Sequence, residues 1–243
     1  MKKTIFALLA MLCFAVPAFA QDCFMRGDAD ADGQITPNDI SVLIDYLLNG
    51  EWPAPEDSNE PDERAIDLGL PSGTLWASMN IGATSETGTG LFLSWGESAG
   101  KASYDEASYD YDEMTIDCIA GTEYDPATNL WGGRWTTPTK AQWDELKANT
   151  IIQKTNVGGV DCFKVRCKTD ASKYIYLPMC GQMIDAGLSD NGYAWYWSST
   201  QAEWNGSTKT AYYFFGSGTY QSISSTNKRV GLQVRPVWVP KAQ

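Results

Sequence analysis

Gly27-Asp28-Ala29-Asp30-Ala31-Asp32-Gly33-Gln34-Ile35-Thr36-Pro37-Asn38-Asp39 alternates acids with small residues and closes on a further acid. A hard cation such as calcium takes roughly six to eight oxygens, and a loop of about twelve residues can wrap them around one ion. Asp28, Asp30, Asp32 and Asp39 fall where such a loop places carboxylates, and Gln34 falls where it turns in a backbone carbonyl. Gly33 allows the sharp bend, and Ile35 is apolar where the chain passes beneath the ion. The spacing predicts one calcium site. An acidic surface turn would account for the composition alone, but not for the complete register.

The rest of the chain offers less for catalysis. It contains no histidine, which removes the commonest general base, the serine–histidine and cysteine–histidine pairs and most zinc sites. A glycosidase needs only two carboxylates about 5–10 Å apart. Glu97, Asp105, Glu106, Asp110, Asp112, Glu113 and Asp117 are concentrated in one stretch. No spacing among them fixes two acids around one bond, so residues 104–117 read as a solvated loop. With a formal net charge of -12, the chain is repelled by phosphate backbones, and nucleic acid is excluded as a partner.

Recognition is better served. Residues 201–228 are rich in Ser, Thr, Asn, Tyr and Trp with few charges, a composition that suits an adaptable interface of rigid aromatics and small hydrogen-bonding groups. Trp204, Asn205, Tyr220 and Asn227 are the candidate ligand contacts, against an alternative of ordinary loop composition. Trp76, Trp95, Trp135, Trp143, Trp195 and Trp197 are expected in the core, where aromatics contribute most buried area.

The elements that must position these residues begin with an export signal. Lys2 and Lys3 precede an apolar run, and Ala18-Phe19-Ala20 is a small-x-small cleavage site, so residues 1–20 read as a leader too short to remain as a membrane span. The expectation is a secreted or surface protein with no transmembrane anchor. Thr36 caps a helix that Pro37 starts and Gly50 ends, with Ile40, Leu43, Ile44 and Leu47 on one stripe. This completes a calcium loop and helix over residues 21–50. Residues 51–64, with three prolines and six acids, read as an extended linker.

From residue 65 to 243 the texture changes to short strand-like runs punctuated by Gly, Ser and Asn. One helix stands out at 139–149, with Thr139 and Gln142 placed as a capping box and Trp143 and Leu146 on one face. Runs at 174–179, 211–215 and 232–239 read as strands, and the fold class is α+β. Loss of Cys13 with the leader leaves Cys23, Cys118, Cys162, Cys167 and Cys180, an odd number. Residues 162–168 and 174–180 read as a hairpin centred on Ala171, which sets Cys162 opposite Cys180 as a disulfide candidate. Five buried free thiols are the other reading.

Gly27-Asp28-x-Asp30-x-Asp32-Gly33-x-Ile35 and Asp39-Ile40-x-x-Leu43-x-x-Tyr46-Leu47-Leu48-x-Gly50 resemble a type I dockerin repeat. That resemblance implies bound calcium and cohesin as a partner in a polysaccharide-degrading assembly. Dockerins carry two such repeats, and this chain has one.

The second domain resembles the FISUMP-type major paralogous domain, a C-type-lectin-like module of exported bacterial proteins. The resemblance rests on Asp67-Leu68-Gly69-Leu70-Pro71-Ser72-Gly73-x-x-Trp76-Ala77, Phe92-x-x-Trp95-Gly96-Glu97 and Trp135-x-x-Pro138-Thr139-x-x-x-Trp143-x-x-Leu146. Tyr196-Trp197-Ser198-Ser199, Ala211-Tyr212-Tyr213 and Gly231-x-x-Val234-Arg235-Pro236-Val237 continue it. It implies a C-type-lectin-like domain of short strands with one main helix. It also implies a non-catalytic face in the C-terminal loops that binds a protein or glycan on an external surface. Related formylglycine-generating enzymes use cysteines near the C-terminus, and no cysteine follows Cys180 here. The Glu-Pro-Asn and Gln-Pro-Asp triplets of calcium-dependent sugar-binding lectins are absent.

Overall fold

A computed structural model of the chain describes residues 61–240 except 113, 205 and 206, together with Ile40, which is helical and exposed. The expected leader, the calcium residues Asp28, Asp30, Asp32, Gln34 and Asp39, and most of the linker lie outside the described residues. The chain divides into two units at Glu56 and Asp57, and the described residues belong almost wholly to the second.

That unit is mostly antiparallel β-sheet with few helices. A first sheet joins the two ends of the domain: β1 (Ala65–Ile66), β2 (Leu75–Ala77), β12 (Val237–Trp238) and β3 (Trp135–Thr136), in that spatial order. Val237 lies opposite both Trp76 and Thr136, so the last strand is interior. A second sheet runs β4 (Thr150–Val157), β5 (Val160–Cys167), β6 (Tyr174–Pro178). The third and longest is β11 (Tyr220–Asn227), β10 (Ser207–Ser217), β9 (Ala194–Trp204), and β7 (Gln182–Ile184) with β8 (Gly187–Ser189) form a separate ribbon. Among the described residues no helix is long and apolar enough to cross a membrane.

The main helix, α2 (Lys140–Asn149), begins where expected. Thr139 Oγ1 accepts from the Gln142 backbone N–H, and Gln142 Oε1 accepts from that of Thr139 at 2.8 Å. Each side chain satisfies an amide that the first helical turn leaves open. Trp143 and Leu146 are fully buried from this helix. A shorter helix, α1 (Pro126–Trp131), is an addition to the expected single helix. Asp125 caps it, proline occupies its first turn and Gly132 closes it at φ 67°, all start and stop signals legible in the sequence.

The third sheet is packed on both faces because its side chains alternate. Ala194, Tyr196 and Phe214 join Trp143, Leu146, Phe163, Val165, Ile175 and Leu177 in one core. Trp197, Ala211 and Tyr213 join Ile81, Leu93, Trp95, Ile119, Leu232 and Val234 in another. Strand side chains alternate with a period of two, so one sheet supplies both cores. Trp76, Trp95, Trp135, Trp143 and Trp197 are buried as expected. Trp195 departs from them and is partly exposed.

The hairpin of β5 and β6 forms at the expected place but in a different register. Arg166 pairs with Tyr174 and Cys162 with Pro178, so Cys162 is not opposite Cys180, and both are free thiols. Lys168, expected opposite Tyr174, instead sits in the connection and donates to the Ala148 carbonyl. An Asp170 side chain that takes the Ser172 N–H and hydroxyl tightens that connection, and the pairing centre moves with it. Residues 104–117 also differ from a solvated loop. Tyr104 and Tyr109 are buried, and their hydroxyls donate to the Phe92 and Trp95 carbonyls at 2.6 and 2.7 Å.

Candidate functional site

Trp195, Tyr213 and Phe215 share the second face of the third sheet, but they lie where its covering residues run out. The Trp195 and Tyr213 rings are stacked at 4.9 Å and 18°, and Phe215 meets Trp195 edge-on at 4.9 Å. Tyr193 and Tyr220 flank Phe215, with centroids 5.8 and 6.3 Å from it. These flanking rings are 39% and 62% exposed. Buried Tyr213 and the half-buried Trp195 and Phe215 therefore form the floor, and the more exposed Tyr193 and Tyr220 the rim.

An open pocket of about 310 Å³ lies against these rings, lined also by Asp190, Ser222 and Ser224. The register explains the lining. Ser222 is the cross-strand partner of Phe215 and Ser224 that of Tyr213, so both hydroxyls stand on the aromatic face. Tyr213 and Ser224 are hydrogen bonded to each other. Burial pushes the Tyr213 hydroxyl above its ordinary range, and the charges on Asp190 and Tyr220 add to that shift.

Asp190 reaches the pocket from the turn between β8 and β9. Its φ is 53°, left-handed backbone that Asp tolerates better than most residues. Tyr193 N–H donates to its carbonyl, and Gln182 Nε2 donates to its Oδ2 at 2.6 Å. Among the described residues no group donates to the other carboxylate oxygen. Gly181 sits behind this turn at φ 76°, and a Cβ there would run into the Ser189 carbonyl and the Asn191 backbone. Glycine is required at that point to let the two backbones approach.

The expected ligand contacts do not all converge here. Tyr220 stands at the pocket rim. Trp204 pairs with Ser207 and Asn227 with Thr210, at the other end of the sheet. Seven residue steps along β11 separate Asn227 from Tyr220, about 23 Å at 3.3 Å per step. Asn227 Oδ1 accepts from the Arg229 N–H, which is a turn-closing role. Asn205 lies outside the described residues. The pocket residues Trp195, Tyr213 and Phe215 had a signal in the aromatic-rich runs 193–197 and 213–215, whereas Asp190 had none.

Other reactive groups are already occupied. Glu97 pairs with Lys101 at 2.9 Å and Asp112 with Lys209 at 3.3 Å. Lys228 is fully buried, lies 4.5 Å from the Trp95 ring centroid, and donates to the Met114 carbonyl and Gln201 Oε1. Burial pushes its ammonium down to about 8. Among the described residues no three His, Cys, Asp or Glu side chains are grouped to hold a metal ion.

No protein-family model, curated protein or solved structure matches the chain.

Proposed function

We propose that this chain is an exported or surface-held binding protein without catalytic activity. Its C-type-lectin-like domain contacts a protein or glycan ligand at the aromatic pocket of the third sheet. In the same reading, Asp28, Asp30, Asp32, Gln34 and Asp39 hold one calcium ion in the N-terminal repeat.

The observation that supports the reading is the combination at Trp195, Tyr213, Phe215 and Asp190. Aromatic area, hydroxyls and a carboxylate converge on one concave surface, the usual composition of a ligand site. Among the described lining residues no second carboxylate stands with Asp190 and no lysine accompanies Ser222 or Ser224, a set suited to holding a ligand. The test is a glycan and protein array probed with the full chain and with Tyr220→Ala. A ligand whose signal falls at least tenfold in the variant supports the reading. An array on which both proteins are equally silent or equally bright overturns it.

The dockerin-like repeat supports a second reading, in which the chain belongs to a polysaccharide-degrading assembly. Capture by cohesin that is lost in chelator would favour it.

A further inference from the structure

The charge around the pocket narrows the ligand. Asp190 is the only charged side chain among its lining residues, and no Lys or Arg is among them. One carboxylate oxygen is held by Gln182 and the other is left without a donor from the described residues. The remaining polar groups are the Ser222, Ser224, Tyr193 and Tyr213 hydroxyls and the Trp195 indole N–H, which has no hydrogen-bond partner but is covered. The apolar surface is aromatic, and the exposed rings of Tyr193 and Tyr220 stand on either side of Phe215.

A pyranose matches this set. Its C–H face packs on aromatic rings, and its hydroxyls both donate to a carboxylate and accept from serine and tyrosine hydroxyls. A volume of about 310 Å³ is at the small end of ligand pockets and suits a short sugar segment. A carboxylated or sulfated sugar would bring a second anion beside Asp190 with no cation to balance it. Like charges brought together in a partly desolvated site oppose binding. An amine would instead gain a carboxylate partner and the faces of the rings.

We propose that the pocket selects uncharged or amine-bearing sugars and rejects carboxylated or sulfated ones. This rests on the binding reading above and names its ligand class.

Affinity electrophoresis of the full chain tests it, in gels containing glucan, mannan, xylan, galactan, chitosan, polygalacturonate or heparin. The acidic chain is attracted by any polycation, so only retardation lost in the variants counts. Tyr220→Ala is the primary variant because its ring is exposed and dispensable for packing, with Trp195→Ala as the second. The expected result is retardation by at least one neutral or aminated polymer, reduced at least tenfold in Tyr220→Ala, and none by the two polyanions. Asp190→Asn should then reduce the preference over polygalacturonate at least tenfold. Variant-sensitive retardation by polygalacturonate or heparin, equal to that by the neutral polymers, overturns the selectivity and spares the binding reading. Silence in every gel overturns the sugar assignment, and the protein array then decides the binding reading separately.

Discussion

Arg235 Nε donates to Asn80 Oδ1 at 2.9 Å in a position where both side chains are fully buried. The same guanidinium donates to the Ala77 carbonyl at 3.0 Å and the Tyr176 carbonyl at 2.6 Å. One side chain thus joins β2, β6 and the segment entering β12. Its donors go to two carbonyls and one amide oxygen, which fixes the entry to β12 in the core.

Arg235→Met should therefore be among the most destabilising single changes in the domain. It strands three acceptors in the core, for an expected loss of about 3 kcal/mol or more. Arg235→Lys should recover little, because one ammonium lacks the fork that reaches three separate acceptors. Urea unfolding midpoints of the two variants and the native chain provide the check. A midpoint for Arg235→Lys near the native value would refute the anchoring role.

Lys228 gives a pH dependence with a definite sign. Its folded value is pushed down to about 8 from 10.5, so between those values the unfolded chain binds more protons than the folded one. The Lys228 contribution to stability should rise with pH over that window and be flat below it. Lys228→Met should remove the rise. Denaturant unfolding at pH 7, 8, 9 and 10 measures it, and parallel curves for native and variant proteins would rule it out.

Gly181→Ala should disturb the pocket from behind. The new Cβ meets the backbone of Ser189 and Asn191, and the residue must also hold a positive φ, so a cost of about 1–3 kcal/mol is expected. Because Asp190 lies between those two contacts, ligand affinity should fall further than thermal stability predicts. Thermal unfolding beside isothermal titration with a polymer retained in the gels separates the two effects.

Calcium should stabilise the intact chain and chelator should reverse the effect, with Asp28→Ala insensitive to both. A lone repeat is expected to bind in the 10⁻⁴–10⁻³ M range of extracellular modules. A thousandfold excess over the dissociation constant corresponds to about 4 kcal/mol on the unit that holds the ion. Isothermal titration showing no heat of binding in the native chain would remove calcium from the account.

Local rules were the legible part of this chain. Thr139 and Gln142 announce α2 because capping is settled within four residues, and the helix forms as read. Runs around Tyr174 and Ala211 read as strands for the same reason. The pairing register was not legible, since it depended on whether Lys168 continued β5 or entered the turn. The pocket was missed for a related reason. Trp195 and Trp197 look alike in sequence, yet only Trp197 is covered, by Leu93 and Leu232 from distant parts of the chain. Composition placed Tyr220 among the candidate contacts, and its exposed ring stands beside Phe215. Composition could not show that Asn227 lies at the opposite end of the same strand.

The interior position of β12 has a kinetic consequence. Its pairing of Val237 with Trp76 joins residues separated by most of the domain, so the first sheet cannot close until the last strand is available. Contacts this distant in sequence form slowly, because loop-closure entropy is lost before they can stabilise the chain. Shortening the chain by only a few residues, to end before Val237, should leave β2 and β3 without the strand between them.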